Sequence, residues 1–257
     1  MEDDDGWRRR RRTHLPLNTT SRMPGSHTKL ISAQARPRDS GHRPEHESCS
    51  ERSRRSGPTR PILAGSVLAC VAREVGIAIE LEKVDISTKR TQGEIDFFTI
   101  NPKGNVPVLE LDDRSFLTEG PAIMQFLADL KPERDLVPRN GTMARYRLQE
   151  WLGFINSDLH TSYAPLFNPD TPELIRRKRQ EVLLKYYALL ERSLTSQKWL
   201  LGEQFSAADA YLFTVKNWAK HVGLDLSRLP AITAFQQRVA GRPRVREALL
   251  AEGLLRD

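Results

Sequence analysis

The hydrophobic period of the chain changes once, across residues 131–139, a stretch holding Pro132 and Pro138. Before it, short apolar runs suit strands. Ile77–Val84 and Val106–Asp113 are strand candidates, Asp112-Asp113 marks a turn, and Ser115-Phe116-Leu117 returns from it. Helical spacing is confined there to Ser66–Val75, closed by Gly76, a short helix around Glu94–Phe98, and Glu119–Leu130. After it, helical stripes dominate. Leu148, Leu152, Ile155 and Leu159 form one, and Val182, Leu183, Tyr186, Leu189 and Leu190 a second. Ser206 with Asp209 reads as a capping box opening a third helix, with Leu212, Val215 and Ala219 as its buried stripe. Pro230 and Pro243 each open another. The layout is a small α+β domain at 61–130, a linker at 131–139 and an all-helical domain at 140–257.

Residues 1–60 stand apart. They hold 14 Lys/Arg and 8 Asp/Glu but only 10 apolar residues, a net of +6, while the other 197 residues net +1. Such a segment buries too little to offset ordering entropy, so it reads as a disordered basic tail. The charge belongs to this tail, so a nucleic-acid footprint on the folded part is not expected. The run Arg8–Arg12 reads as a solvated charge run. No stretch reaches the ~18 apolar residues of a membrane span, and the acidic start lacks a secretory apolar region. Two cysteines, Cys49 and Cys70, do not make a disulfide framework, and a reducing, cytoplasmic setting fits. Four of the six histidines lie in the tail without ligand spacing, so no metal site is expected.

Four ordered segments sharpen the layout: Ile100-Asn-Pro-Lys-Gly-Asn-Val-Pro107, Leu117-Thr-Glu-Gly-Pro-Ala-Ile123, Trp151–His160 followed by Pro165-Leu-Phe, and Gln204–Phe213. Together they resemble the glutathione S-transferase family, and the third resembles its bacterial beta class. The resemblance covers about residues 65–254. It implies a thioredoxin-like N-terminal domain and an all-α C-terminal one, glutathione as co-substrate, no metal and a homodimer. It also implies roles. The bond before Pro107 is cis in this family, and the backbone N–H and C=O of Val106 pair with the cysteinyl backbone of glutathione. Glu119 takes the γ-glutamyl amine, and the Gly120 N–H, at a helix start, takes its carboxylate. Lys89 reaches the glycyl end. His160 points across the domain cleft towards the thiol. An apolar acceptor pocket is expected near His160, Tyr163 and Phe167.

The pattern breaks at one point. Where the beta class carries Cys-Ser near the glutathione sulfur, ungapped counting gives Ala64 and Gly65. Ser66 is the nearest hydroxyl, and Cys70 reads as a small buried apolar residue. Bringing a thiol from pKa ~8.5 to mostly thiolate at neutral pH needs about 2.7 kcal/mol. A helix N-terminus supplies ~0.3–1, at best ~2 kcal/mol, and a hydrogen bond to the charged sulfur ~1.5–3 kcal/mol. A positioned donor, His160 or Ser66, is therefore expected. The first strand is also poor. Residues 55–63 contain two prolines and a glycine, so this strand is degenerate or is supplied instead by Thr28–Ser32. The leading expectation is a transferase that conjugates the glutathione thiol to small, largely apolar electrophiles. The alternatives are a catalytically impaired glutathione- or ligand-binding protein on the same fold, and an interaction protein using the basic tail.

Overall fold

The computed structural model describes residues 28–33, 64–252 and 254–255. For residues 33 and 64–66 it describes the backbone alone. The rest of the 1–60 tail lies outside the described residues.

Five strands form one mixed sheet: β1 (Lys29–Ala33), β2 (Glu80–Asp85), β3 (Arg90–Thr91), β4 (Val108–Glu110) and β5 (Phe116–Thr118), in the order β3-β2-β1-β4-β5. β1 runs parallel to β2 and antiparallel to β4. The central strand is thus supplied by the Thr28–Ser32 stretch and not by residues 55–63. This corrects the boundary of the tail: Lys29–Ala33 belongs to the α+β domain. Strand alternation then divides two cores. Leu30 and Leu109 face helices α1 (Ala64–Val75) and α2 (Gly120–Asp129), packing with Leu68, Val71, Met124 and Leu127. Ile31, Val84 and Val108 face the other way and are covered by Phe97, from a 3-10 turn at Phe97–Thr99.

The expected strand Ile77–Val84 starts later, at Glu80, because Gly76 (φ +76°) and Ile77 close the end of α1 through bonds to the carbonyls of Arg73 and Ala72. Of Val106–Asp113 only Val108–Glu110 pairs as strand. The two-residue β3 is too short to leave a pattern in the sequence.

The helical domain comprises α3 (Met143–Phe154), a π-helical segment at Ile155–His160, α4 (Thr161–Phe167), α5 (Glu173–Ser196), α6 (Ala207–Lys216), α7 (Pro230–Ala240) and α8 (Pro243–Ala251). The stripe Leu148, Leu152, Ile155, Leu159 is fully buried. On α5 the buried residues are Leu183, Tyr187, Leu190 and Leu194, so the expected Val182, Tyr186 and Leu189 sit off the stripe, Leu189 being 41% exposed. α6 is buried along Ala207–Val215 and forms the centre of this domain. Its capping box is present: Asp209 Oδ2 accepts from Ser206 N (2.8 Å) and Ser206 Oγ (2.7 Å), while Oδ1 accepts from Leu200 N (2.9 Å).

The segment between the domains is pinned to both. Leu136 and Val137 are buried, and Ala207 N donates to Leu136 O. Arg145 on α3 forks onto Asp129 on α2 (2.9 and 2.7 Å) and donates to Pro138 O (3.0 Å) and Gln125 Oε1 (3.2 Å). Arg242 forks onto Glu74 of α1 (2.7 and 2.8 Å). Among the described residues no helix is long and apolar enough to cross a membrane.

Candidate active site

The cleft between the domains holds a cavity of about 330 Å³, lined on one side by Val67, Lys89, Gly104, Val106, Pro107 and Thr118–Gly120, and on the other by Asn156, His160 and Tyr211. Val106, Pro107, Glu119, Gly120, Lys89 and His160, widely separated in sequence, therefore share one cavity.

The 101–107 loop is shaped by Asn101, which is 3% exposed. Its side chain accepts from Lys103 N (3.2 Å) and donates to Asn105 O (2.6 Å). Gly104 has φ +64°, and a Cβ there would meet the Phe98 ring at 2.7 Å, so a side chain would strain the backbone and push the ring aside. The Val106–Pro107 bond is cis. Among the described residues, the backbone N–H and C=O of Val106 have no protein partner. Gly120 opens α2, and its N–H is likewise unpaired.

Glu119 precedes the helix with φ +69°, a conformation L-residues rarely adopt, which marks it as a constrained position. Its carboxylate meets Lys103 Nζ at 2.7 Å, and that ammonium also donates to Thr118 Oγ1 (3.1 Å). Lys89 Nζ donates to Gly104 O (2.8 Å), leaving two further donors at the rim.

On the opposite wall the π-helical segment carries Asn156 and His160, four residues apart. Both converge on Tyr211 of α6: His160 Nδ1 lies 2.7 Å from Tyr211 Oη, which donates to Asn156 Oδ1 at 3.0 Å. Burial pushes the His160 pKa down to about 4 and raises that of the Tyr211 phenol. The His160 ring packs edge-on against Trp218, centroids 4.7 Å apart.

Ser66 lies in the first turn of α1, whose Val67 lines the cavity; its side chain lies outside the described residues. Cys70 is 1% exposed, with its thiol pushed up to about 12 by burial, so it is a core residue. The expected acceptor-pocket pair needs correction. Tyr163 is fully buried and bonded to Tyr187 Oη (2.7 Å), so it is core, and only Phe167, 41% exposed, is open to a ligand. Sequence reasoning also missed Asn156 and Tyr211. The i, i+4 spacing of Asn156 and His160 was a signal that they share a face; nothing local tied Tyr211 to them. A larger cavity of about 830 Å³ opens between α3, α5 and residues 200–206, flanked by Trp151, Phe154 and Phe205. No histidine lines it, whereas the cleft carries His160 with its lowered pKa, so the cleft is the better candidate for chemistry.

Known proteins share the sequence and the fold. Residues 68–130 match the family model of the glutathione S-transferase N-terminal domain, and residues 155–243 that of its C-terminal domain. The glutathione S-transferase GstA of Escherichia coli O157:H7 is 47% identical over 182 residues, covering 71% of this chain and 90% of that protein. A bacterial beta-class glutathione S-transferase of Sphingomonas chungbukensis superposes with a TM-score of 0.73 at 39% identity, covering 76% of this chain and 97% of that one. A sphingomonad glutathione S-transferase complexed with glutathione gives 0.75 at 33% identity, covering 88% and 100%. With both family domains in order, and nearly half of its residues shared with GstA over most of either chain, this chain belongs to the glutathione S-transferase family.

Proposed function

We propose that the interdomain cavity binds glutathione and that the chain conjugates its thiol to small, largely apolar electrophiles. The observation that carries the reading is the backbone N–H and C=O of Val106 on the cavity wall, which have no protein partner among the described residues. Val106 is half-buried, and an exposed donor and acceptor on adjacent backbone positions beside a cavity form a template for an extended peptide. The cysteinyl backbone of glutathione supplies the matching acceptor and donor. Gly120 N–H then meets the γ-glutamyl carboxylate, Glu119 its amine, and Lys89 the glycyl carboxylate. In free protein Lys103 balances Glu119; the incoming amine shares that carboxylate.

This pose directs the cysteinyl side chain towards α1 and His160. His160 is the catalytic residue in this reading, and Ser66 the second group at the sulfur. The electrophile enters past Phe167. The same reading makes the protein a cytoplasmic homodimer that uses neither metal nor nucleic acid. Apolar surface for pairing is available on both halves, from Phe98 and Phe116 on one and Met143 and Tyr146 on the other. The alternative, glutathione binding with impaired turnover, draws on Ala64 standing where the beta class carries cysteine.

Calorimetric titration of glutathione into the full-length protein tests the site. Saturable binding, one glutathione per chain, is expected. Glu119→Gln should weaken it about tenfold, the low end for a hydrogen bond to a charged group. No binding to a folded protein would overturn the reading. Conjugation to an activated aryl chloride separates the two alternatives: turnover that falls with His160→Gln supports the transferase, and binding without turnover supports the impaired form.

A further inference from the structure

Tyr211 has a single phenolic hydrogen, and two neighbours compete for its oxygen. Asn156 Oδ1, at 3.0 Å, is an acceptor and takes that hydrogen. The phenol stays protonated, because burial raises its pKa above the ordinary tyrosine value. Towards His160 the oxygen then offers only lone pairs. With Asn156 Oδ1 facing the phenol, the 2.7 Å contact between that oxygen and Nδ1 is satisfied by a ring hydrogen on Nδ1. The ring is neutral near pH 7, since burial pushes its pKa down to about 4. A neutral ring with hydrogen on Nδ1 has a bare lone pair on Nε2. Among the described residues Nε2 has no protein partner, and His160 lines the cavity.

The geometry points to Asn156 and Tyr211 as positioning residues that hold His160 in the Nδ1–H form, so that Nε2 meets the substrate thiol as a hydrogen-bond acceptor and takes its proton. This rests on the cavity being the glutathione site. It reverses the sequence expectation that His160 donates to a thiolate already formed. The step balances simply. The S–H bond breaks, an Nε2–H bond forms, and neutral thiol plus neutral imidazole become thiolate plus imidazolium. The thiolate pair attacks the electrophile. The proton leaves with the displaced group or is delivered to the adduct. The developing thiolate itself raises the basicity of the ring beside it. The donor that Ala64 and the helix end do not provide is thus created by the transfer.

Tautomers are read directly by ¹⁵N-histidine NMR of the full-length protein without any ligand, the His160 signals being assigned by their loss in His160→Gln. The wild type should show a pyrrole-type Nδ1 and a pyridine-type Nε2. Tyr211→Phe should release the ring towards the Nε2–H form that free histidine favours. It should also lower kcat for conjugation at least tenfold, within the range of a general base, while glutathione affinity stays within twofold. Asn156→Asp keeps an acceptor opposite the phenol and should retain both the Nδ1–H signature and most of kcat. A wild-type Nε2–H signature, or Tyr211→Phe with unchanged tautomer and kcat, would overturn the proposal. Absence of glutathione binding would instead overturn the proposed function and leave the tautomer result standing, so the two failures are distinguishable.

Discussion

Replacing Arg145 by methionine should destabilise the protein by about 2–3 kcal/mol while leaving glutathione affinity nearly unchanged. Arg145 is 3% exposed and ties together α2, the interdomain segment and α3. Methionine keeps most of the apolar stem, so packing changes little. What is lost is the guanidinium fork and its donors. A fully buried pair broken on one side costs about 3–5 kcal/mol. The Asp129 side chain is 39% exposed, so water can solvate the stranded carboxylate, and the fork is worth about 1.5–2 kcal/mol here. Gln125 Oε1 keeps a bond from Gln149 Nε2 (3.0 Å) and adds little. Pro138 O loses this donor, which adds about 1 kcal/mol. Urea unfolding followed by tryptophan fluorescence reads the sum. With a slope of about 2–3 kcal/mol per molar, the midpoint should fall by about 1 M. Arg145→Lys keeps charge but no fork and should recover less than half. A midpoint shift under about 0.3 M for Arg145→Met, at unchanged slope, would refute the reasoning. It would mean that the pair is no stronger than one in solvent.

His160 is neutral in the fold with its pKa at about 4, against 6.5 unfolded. Between those values the unfolded chain binds the extra proton, so stability is full above pH 6.5 and declines as pH falls towards 4, by up to roughly 3 kcal/mol. Chemical denaturation at pH 7 and 4.5 should show this loss, reduced in His160→Gln; equal losses in the two proteins would count against it. Asp209→Asn replaces an oxygen that accepts two bonds from Ser206 with an amide donor in a fully buried site, and should lower stability by about 2–4 kcal/mol in thermal unfolding. Cys70, measured in a Cys49→Ser variant, should resist thiol reagents at pH 8 until the protein unfolds, since its thiol is held at about 12; prompt labelling of the native protein would contradict its burial.

What could be read from the sequence was what a residue type dictates locally. Gly76 at positive φ, the Ser206–Asp209 cap, and prolines opening α7 and α8 carry their meaning in their own covalent geometry. Period-based stripes were legible where the helix is regular, and on α5 the stripe missed Tyr187 and Leu194. Arg145 lies three residues before Leu148 on a stripe that stays buried to Leu159, so the pattern placed a charge in the core. Only the distant Asp129 and Pro138 explain why it is tolerated there. The Asn156–Tyr211–His160 contact is hidden for the same reason: it joins residues 51 and 55 positions apart. Position in a motif brought His160 to notice. The direction of its hydrogen bonds, which decides whether it gives or takes a proton, depends on a partner from another helix.

The same contrast between local and distant information governs the N-terminal region. Composition draws the tail boundary near residue 60, yet the middle of the sheet is residues 29–33. A truncation at that compositional boundary would remove β1. Leu30 and Ile31 are 0% and 1% exposed on opposite faces, each contributing about 1.5–3 kcal/mol by burial. β1 also bonds β2 along Lys29–Ala33 and β4 along Lys29–Ile31, so its loss separates β2 and β3 from β4 and β5. The two side chains alone remove about 3–6 kcal/mol of a typical ~5–15 kcal/mol, and the two newly unpaired strand edges take the rest. Deleting residues 1–33 should therefore abolish cooperative unfolding and glutathione binding together. Deleting 1–27 spares β1 and the bond from Glu80 N to Thr28 O while removing Arg8–Arg12. It should leave the unfolding midpoint within about 1 °C of the full chain, a surface-scale change. The shorter truncation is also the clean test of the tail as an interaction segment: polyanion binding that survives it undiminished would remove Arg8–Arg12 from that role. A folded, glutathione-binding protein lacking residues 1–33 would show that β1 is dispensable and that the sheet is held by its helices alone.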